Sequence, residues 1–560
     1  MIERVITGQL TKLFRQYPFV TVTGPRQAGK TTLCRSTFGD AAYASLEAPD
    51  ERAFAESDPR GFLRHLGTPA IIDEIQHVPA LLSYLQVIAD EDGRNSLYVL
   101  TGSENLKLSE AVGQSLAGRT ALLRLLPFSL DESRRAGASE AFADIVFNGF
   151  YPRIADQRLE PRQALGDYFE TYVERDVRRM GGVSDLSVFR RFVALCAGRV
   201  GQMLNLTALS GDAGVSHTTI RQWVTLLERS YIAFLLPPFA ANIRKRLVKS
   251  PKLYFYDVGL ASYLLGIEGP GQVATHPLRG SLFENVVIAE AAKHCYNRGR
   301  EPRLSFFRDS RGLECDLFYE TERGVNGIEA KSGVTIASDW VRSLDRIAEL
   351  VPDLVGKTVV YGGAKAEARG GCDIMPLGQF DEALGNFDAD VAVRVACGGT
   401  PVAGVDVLAL FPNNVWQRAT SDVAGVARLK LYTTDLSMTV YAAGEGLSAK
   451  IVSDWVPARG SLEVELDVLV DGGSVIFADQ TGYVPGIEGR LNPILDVAQR
   501  TYLYTTNVAV NGGLAQPVDF SVGEDVLNLV DAHGNERDLR VVAMSGQSAL
   551  LEYGLPSKLA

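Results

Sequence analysis

The stretch "FVTVTGPRQAGKTT", Phe19 to Thr32, constrains this chain more than any other. Its first residues are β-branched and apolar on both faces, the pattern of a strand buried inside a parallel sheet. The strand runs straight into Gly24, Pro25, Arg26, Gln27, Ala28, Gly29, Lys30, Thr31 and Thr32, which fit the spacing G-x-x-x-x-G-K-[ST]. Glycines at those positions let the backbone curl until its N–H groups point inward at phosphate oxygens. A helix starting near Lys30 adds its positive N-terminal end. Lys30 is then placed to reach the β- and γ-phosphates, and Thr31 to ligate a magnesium ion. The cofactors expected are therefore ATP and Mg2+, bound by an α/β domain.

Two further strands fit the same chemistry. "PAIIDEIQ" ends in Asp73 and Glu74. Asp73 is expected to hold the magnesium through its water shell, and Glu74 to polarise the attacking water. "SLYVLTGSEN" ends in Thr101 and Ser103, both suited to sensing the γ-phosphate. Arg119, in "LAGRTALLRLLPFSL", is a candidate for touching that phosphate in cis, or from a neighbouring copy in a homo-oligomer. Arg175, in "YVERDVRR", is a second.

"GPRQAGKTTL", "IIDEIQ", "LTGS", "LAGR" and "YVERDVR" together resemble a family of prokaryotic ATP-binding proteins. Its members pair an AAA-type P-loop domain with a C-terminal domain of undetermined function. The resemblance covers residue 1 to about residue 380 and implies ATP binding and ATP hydrolysis.

Length and charge divide the rest. A chain of 560 residues exceeds one ordinary domain, and roughly three to five are expected. No apolar run approaches the roughly 20 residues of a membrane span. Six cysteines form no CxxC pair, as expected for reduced thiols of a cytoplasmic protein. Residues 381–560 hold 23 acids and 11 bases, a net of −12, against a total of −11. Residues 186–260 hold 10 bases and 3 acids, a net of +7. A basic stretch in a neutral body is a nucleic-acid footprint.

Within that stretch, "LTALSGDAG" reads as a helix ending at glycine, and Ser216 caps a second helix, "HTTIRQWVTLLERS". Ile220, Trp223, Leu226 and Leu227 share one face. His217, Thr218, Arg221 and Gln222 crowd the other end, as in a recognition helix. "NIRKRLVKSPKLYFYD" resembles a wing. The expected partner is DNA, through Arg221, Arg244, Lys245, Arg246 and Lys249. The family resemblance supports a winged helix here.

Further on, "LSFFRDSRGLECDLFYE" and "GVNGIEAKSG" read as three strands, preceded by a helix carrying Glu284. Residues two apart on a strand share a face. Asp316 is expected to face Glu329 and Lys331, the PD-(D/E)xK pattern of restriction-endonuclease-like folds. Asp316, Glu329 and Glu284 would hold Mg2+ through hard oxygens, and Lys331 would orient the attacking water. The expectation is an Mg2+-dependent nuclease site, or the same fold kept catalytically silent beneath an ATP-gated switch.

The expected architecture is an α/β AAA-like P-loop NTPase at 1–130, a helical linker or lid at 131–185 and a winged helix at 186–270. An α/β restriction-endonuclease-like domain follows at 271–380, then a linker at 381–390. All-β modules close the chain, a β-sandwich at 391–469 and a small barrel-like module at 470–560. The first weakly resembles carboxypeptidase-regulatory-like domains. The acidic tail is expected to recruit a protein partner.

Overall fold

The strand that opens the sequence argument, β1 (Phe19–Thr23), is buried at every position. Around it the chain forms α1 (Thr7–Gln16), α2 (Lys30–Thr37), β2 (Ala42–Ser45), α3 (Pro49–Ser57) and α4 (Pro59–Leu66). Next come β3 (Ala70–Asp73), α5 (Leu81–Asp92), β4 (Tyr98–Gly102) and β5 (Thr120–Arg124). The sheet order is β2-β3-β4-β1-β5, every pair parallel. Alternate residues of β1 enter opposite cores. Phe19 packs with Ile72, Leu100 and the α3–α5 side, Val20 and Val22 with Ile71, Leu123 and the α1–α2 side. Both faces of the strand are buried, and the two threonines on one of them are hydrogen-bonded, Thr21 to Thr120 and Thr23 to Tyr231, each at 3.0 Å.

The computed structural model describes residues 2–103, 115–173, 185–239, 250–321, 324–337, 339–369, 371–387, 390–411, 416–430, 437–457, 462–478, 481–496, 498–557 and 559. It divides into two units, 1–367 with 373–381, and 368–372 with 382–560. Arg175 and the basic residues Arg244, Lys245, Arg246 and Lys249 lie outside the described residues.

Four short helices follow the sheet: α6 (Leu130–Arg135), α7 (Phe142–Asn148), α8 (Pro152–Gln157) and α9 (Pro161–Tyr168). Then α10 (Leu186–Ala197), α11 (Leu206–Ala213) and α12 (His217–Arg229) lead into an antiparallel pair, β6 (Ala233–Leu236) and β7 (Lys252–Phe255). Ser216 caps α12, its hydroxyl accepting the Thr219 N–H at 3.1 Å. Ile220, Trp223, Leu226 and Leu227 are buried, while His217, Thr218, Arg221 and Gln222 are exposed.

After α13 (Val258–Leu264) and α14 (Pro270–Val273) comes a long helix, α15 (Arg279–Asn297). It precedes β8 (Leu304–Arg308), β9 (Glu314–Thr321), β10 (Gly324–Lys331), α16 (Arg342–Ala348), β11 (Leu354–Tyr361) and β12 (Cys372–Pro376). The strands order β12-β11-β10-β9-β8; β8–β9–β10 form an antiparallel meander, and β11 and β12 add in parallel. The sequence suggests an amphipathic α15, but fourteen of its nineteen residues are buried, Glu290 and Lys293 among them.

The segment expected as a linker at 381–390 instead begins as helix α17 (Phe380–Phe387). Its acidic composition hides an apolar period: Phe380, Ala383, Leu384 and Phe387 are all buried. Beyond it the elements named among the described residues are strands. Thr400–Pro401, Asp390–Cys397, Val426–Lys430 and Leu462–Leu466 form one sheet, and Trp416–Thr420, Asp406–Leu410, Met438–Ala443 and Lys450–Trp455 another. The two share a core of Val393, Val407, Leu429, Val440 and Val464. A second module has its own core, including Leu491, Leu503, Leu529, Leu539 and Leu551.

One buried network ties the first unit together. Arg4 is 7 % exposed and sits 3.0 Å from Glu132, which is fully buried. Glu132 also accepts the Val5 N–H at 2.7 Å. Glu290 accepts the Leu130 N–H at 3.1 Å, and Lys293 donates to the Phe128 carbonyl at 2.8 Å. The Lys293 ammonium lies 3.7 Å from the centre of the Phe150 ring, and Asp257 accepts the Phe150 N–H at 2.6 Å. Three carboxylates thus meet two cations. Burial pushes Glu290 up to about 8 and Lys293 down, so a proton on Glu290 brings the five groups to neutrality.

Two consequences are measurable by thermal melts. Glu290 moves from an ordinary value of 4.5 to about 8 on folding, so the folded state holds an extra proton between those values. Its contribution is full below the unfolded value and is lost as pH rises through 8. Glu290→Gln should therefore flatten the fall in melting temperature between pH 5 and 8. Lys293→Met, which strands buried carboxylates, should cost about 3–5 kcal/mol.

Candidate functional site

The loop after β1 closes tightly on the strand beside it. Gly24 has φ +148, and a Cβ there would stand 2.0 Å from the Leu125 carbonyl oxygen. Gly29 enters α2 at φ +90, a region open to glycine. Arg4 supports the loop from inside, its Nη1 donating to the Ala28 carbonyl at 2.7 Å and its Nη2 to Leu126 at 2.7 Å.

Lys30 is 5 % exposed and donates to the carbonyls of Gly24 and Pro25, both at 2.9 Å. Burial lowers its pKa, opposed by Glu74 and Asp73. The Thr31 hydroxyl donates to both oxygens of Asp73 at 3.0 Å. Tyr43 and Thr101 donate to the same carboxylate, Tyr43 at 3.0 Å. Hydroxyl and carboxylate oxygens packed this closely are the hard donors that Mg2+ takes. Ser103 donates to Glu74 at 3.0 Å, and the Gln76 amide donates to it as well. Burial pushes Glu74 up, but Lys30, Gln76, Arg26 and Ser103 together outweigh it and hold the carboxyl below its ordinary value. Glu74 sits at φ 55, a left-handed conformation that a non-glycine residue adopts at a cost. Glu47, Glu74 and His77 place ligand atoms within 4.8 Å of one another, the one such group among the described residues.

Arg119 is not brought to this site within one chain. It precedes β5, opposite Phe19 at the start of β1, and the loop lies at the other end of that strand. Five residues of strand, roughly 16 Å, separate the two ends. Its guanidinium instead pairs with Asp90 at 2.6 and 2.8 Å. At the loop end of β5, Arg124 donates to Tyr296 at 3.0 Å and pairs with Glu301 at 2.7 Å.

A cavity of about 650 Å3 opens beside the loop, lined by Ile2, Arg4, Gly29, Thr32, Phe128 and Pro152 among others. Neither Arg4, Tyr43 nor this cavity was legible from motif spacing, because each depends on chain remote from the loop.

The second set converges differently from expectation. Asp316 accepts the Ala330 N–H at 2.9 Å, where the β9–β10 ladder opens just past the Leu317–Ile328 pair. Glu329 is 4 % exposed and pairs with Lys331 at 2.5 Å. Burial, then Asp316, pushes Glu329 up to about 8. Glu284 turns to β7, accepting from Lys252 at 2.9 Å and from the Tyr254 hydroxyl at 2.5 Å. Lys252 reaches Glu314 as well, at 2.6 Å. The ligand atoms of Glu284, Asp316 and Glu329 do not gather within 4.8 Å. In this arrangement the three do not fit one shared ion, because a lysine occupies Glu284. The two-residue rule that aligns Asp316 with Glu314 also puts Lys252 and Tyr254 on one face, a signal present in "PKLYFYD".

Comparison with known proteins agrees with the first site. Residues 16–133 match the family described as AAA domain. Residues 139–271 and 279–380 match Domain of unknown function (DUF8612) and Domain of unknown function (DUF4143). The first of these two spans both the expected helical linker and the expected winged helix. The Walker-type ATPase PABY2304 of Pyrococcus abyssi is 15% identical with a TM-score of 0.32, over 46% of this chain and 94% of that one. The phosphate loop, its parallel sheet and the matching family together define an AAA-type P-loop ATPase domain. Uncharacterized proteins Rv2008c of Mycobacterium tuberculosis and Mb2031c of Mycobacterium bovis are each 31% identical over 363 residues, 64% of this chain and 80% of theirs. The chain belongs to the family of these two proteins. An uncharacterized protein of Haemophilus influenzae is 24% identical over 245 residues, 40% of this chain and 58% of its own.

The position of Arg119 yields a direct test. Arg119→Ala should leave the ATP dissociation constant of dilute protein within about twofold of wild type, less than one weak hydrogen bond is worth. Fluorescent-nucleotide titration measures it.

Proposed function

We propose that this chain is an Mg2+-dependent ATPase whose nucleotide state is passed to the helix-turn-helix segment and the following α/β domain. One observation carries the reading: Thr31 and Asp73, distant in sequence, meet at 3.0 Å with Glu74 next in line. Thr31 and Asp73 would hold the Mg2+, which neutralises phosphate charge when bound. Lys30 would exchange two carbonyl partners for phosphate oxygens. Glu74, kept ionised by its surroundings, would orient the attacking water and accept its proton. The cavity bounded by Ile2, Phe128 and Pro152 offers apolar walls for the base.

A second reading concerns nucleic acid. The succession helix, antiparallel meander, helix, parallel strand in 279–376, with Asp316, Glu329 and Lys331 close together, supports a PD-(D/E)xK-like domain. The succession α10-α11-α12-β6-β7, with Arg221 and Gln222 exposed at the start of α12, supports a winged helix that meets DNA. The acidic β modules would recruit a protein.

Two measurements address these readings. Lys30→Ala should abolish ATP turnover. Glu74→Gln should keep nucleotide affinity while slowing turnover by about 10²–10⁴-fold, as loss of a general base does; undiminished turnover in either would remove the site. Duplex-DNA mobility shifts across a salt series should weaken steeply, and Arg221→Ala should reduce that slope by about one unit.

A further inference from the structure

We infer that Lys252 is a built-in counter-cation that shuts the acidic cluster of the second α/β domain against a divalent metal. The inference rests on the nuclease-like reading of that cluster and concerns its regulation.

The lysine does not belong to the domain it neutralises. It sits on β7, at the end of the helix-turn-helix segment, paired across to Leu236 of β6. Its side chain is 4 % exposed. It reaches Glu284 on α15 at 2.9 Å and Glu314 on β9 at 2.6 Å, with the Phe306 ring centre at 5.3 Å. Tyr254, two residues on, donates to the same Glu284 oxygen. The turn at Gly201 closes over that carboxylate, a Cβ there standing 3.3 Å from Glu284 Oε2. Asn285, next to Glu284, grips β7 through both backbone groups of Phe255, at 2.7 and 2.9 Å. Two carboxylates that could serve a metal are thereby committed to a buried ammonium carried on β7.

The test counts bound Mn2+ on the full chain without nucleotide, by loss of the free-ion paramagnetic resonance signal. Wild type and Lys252→Arg should bind no Mn2+ that Asp316→Asn removes. Lys252→Met should gain one Mn2+ per chain, bound at least about tenfold more tightly than by wild type, a shift of ~1.4 kcal/mol. Lys252→Met with Asp316→Asn should lose it. Circular dichroism checks that each variant folds. Should Lys252→Met unfold, Lys252→Met with Glu284→Gln removes one charge of each sign and keeps Glu314, Asp316 and Glu329; the gain must appear there. If wild type already binds an Asp316-dependent Mn2+ as tightly as the methionine variant, the lysine is no barrier, the inference falls and the metal site stands. If the folded variants without Lys252 bind none, the cluster is not a metal site and both readings fall.

Discussion

Five charged groups buried together decide how this molecule is assembled. Arg4 and Glu132 belong to the phosphate-loop segment, Asp257 follows β7, and Glu290 and Lys293 project from α15. Each is desolvated. The first and last segments each bring one cation and one carboxylate, and Asp257 is a third carboxylate whose opposing charge, Lys293, comes from another segment. An isolated buried ion costs several kcal/mol, so the segment carrying Asp257 is poor in its partner's absence. Backbone groups complete the set: Leu130 and Phe150 donate N–H groups, and Phe128 offers its carbonyl. The segments matched by three separate family descriptions therefore share one electrostatic core.

That shared core reaches the nucleotide site. Arg4 holds the Ala28 carbonyl of the loop with one nitrogen and Glu132 with another. A second link runs along β1. Thr23, the residue before Gly24, shares a 3.0 Å hydrogen bond with Tyr231, which is held at φ 57 two residues before β6. β6 pairs with β7, and β7 carries Lys252. A contiguous chain of contacts thus runs from the phosphate loop to the acidic cluster. Tyr231 and β7 are the elements of the first unit through which that continuity runs.

Sequence showed the local parts and missed the joints. "FVTVTGPRQAGKTT" joins strand to loop, and "IIDEIQ" joins strand to carboxylates, each within a few residues, so local spacing singles out Lys30 and Thr31 in one and Asp73 and Glu74 in the other. The Ser216 cap and the buried face of α12 follow from periodicity in the same way. The sequence setting of Arg119 does not report that it enters β5 at the end away from the phosphate loop, so the cis and neighbouring-copy alternatives could not be told apart there. Glu290 and Lys293 carry no sequence signal of burial, because charge normally marks a solvated face and only partners on other segments reverse that meaning. Helix α17 was lost to its acidic composition, although its apolar spacing was present.

The acidic cluster carries this distinction into chemistry. Strand alternation brings Glu314 and Asp316 to one face, near Glu329 and Lys331, and Glu284 approaches from α15. Four carboxylates face Lys252, Lys331 and Arg308, so the site lacks at most one positive charge. Exchanging Lys252 for a divalent ion would supply that missing charge, which favours the metal electrostatically. Opposing the exchange are the burial of the ammonium and the four-residue β6–β7 ladder and Asn285 clamp on Phe255 that hold β7 in place. On the inference that the cluster takes a metal, its affinity would follow the position of β7 as well as its carboxylates.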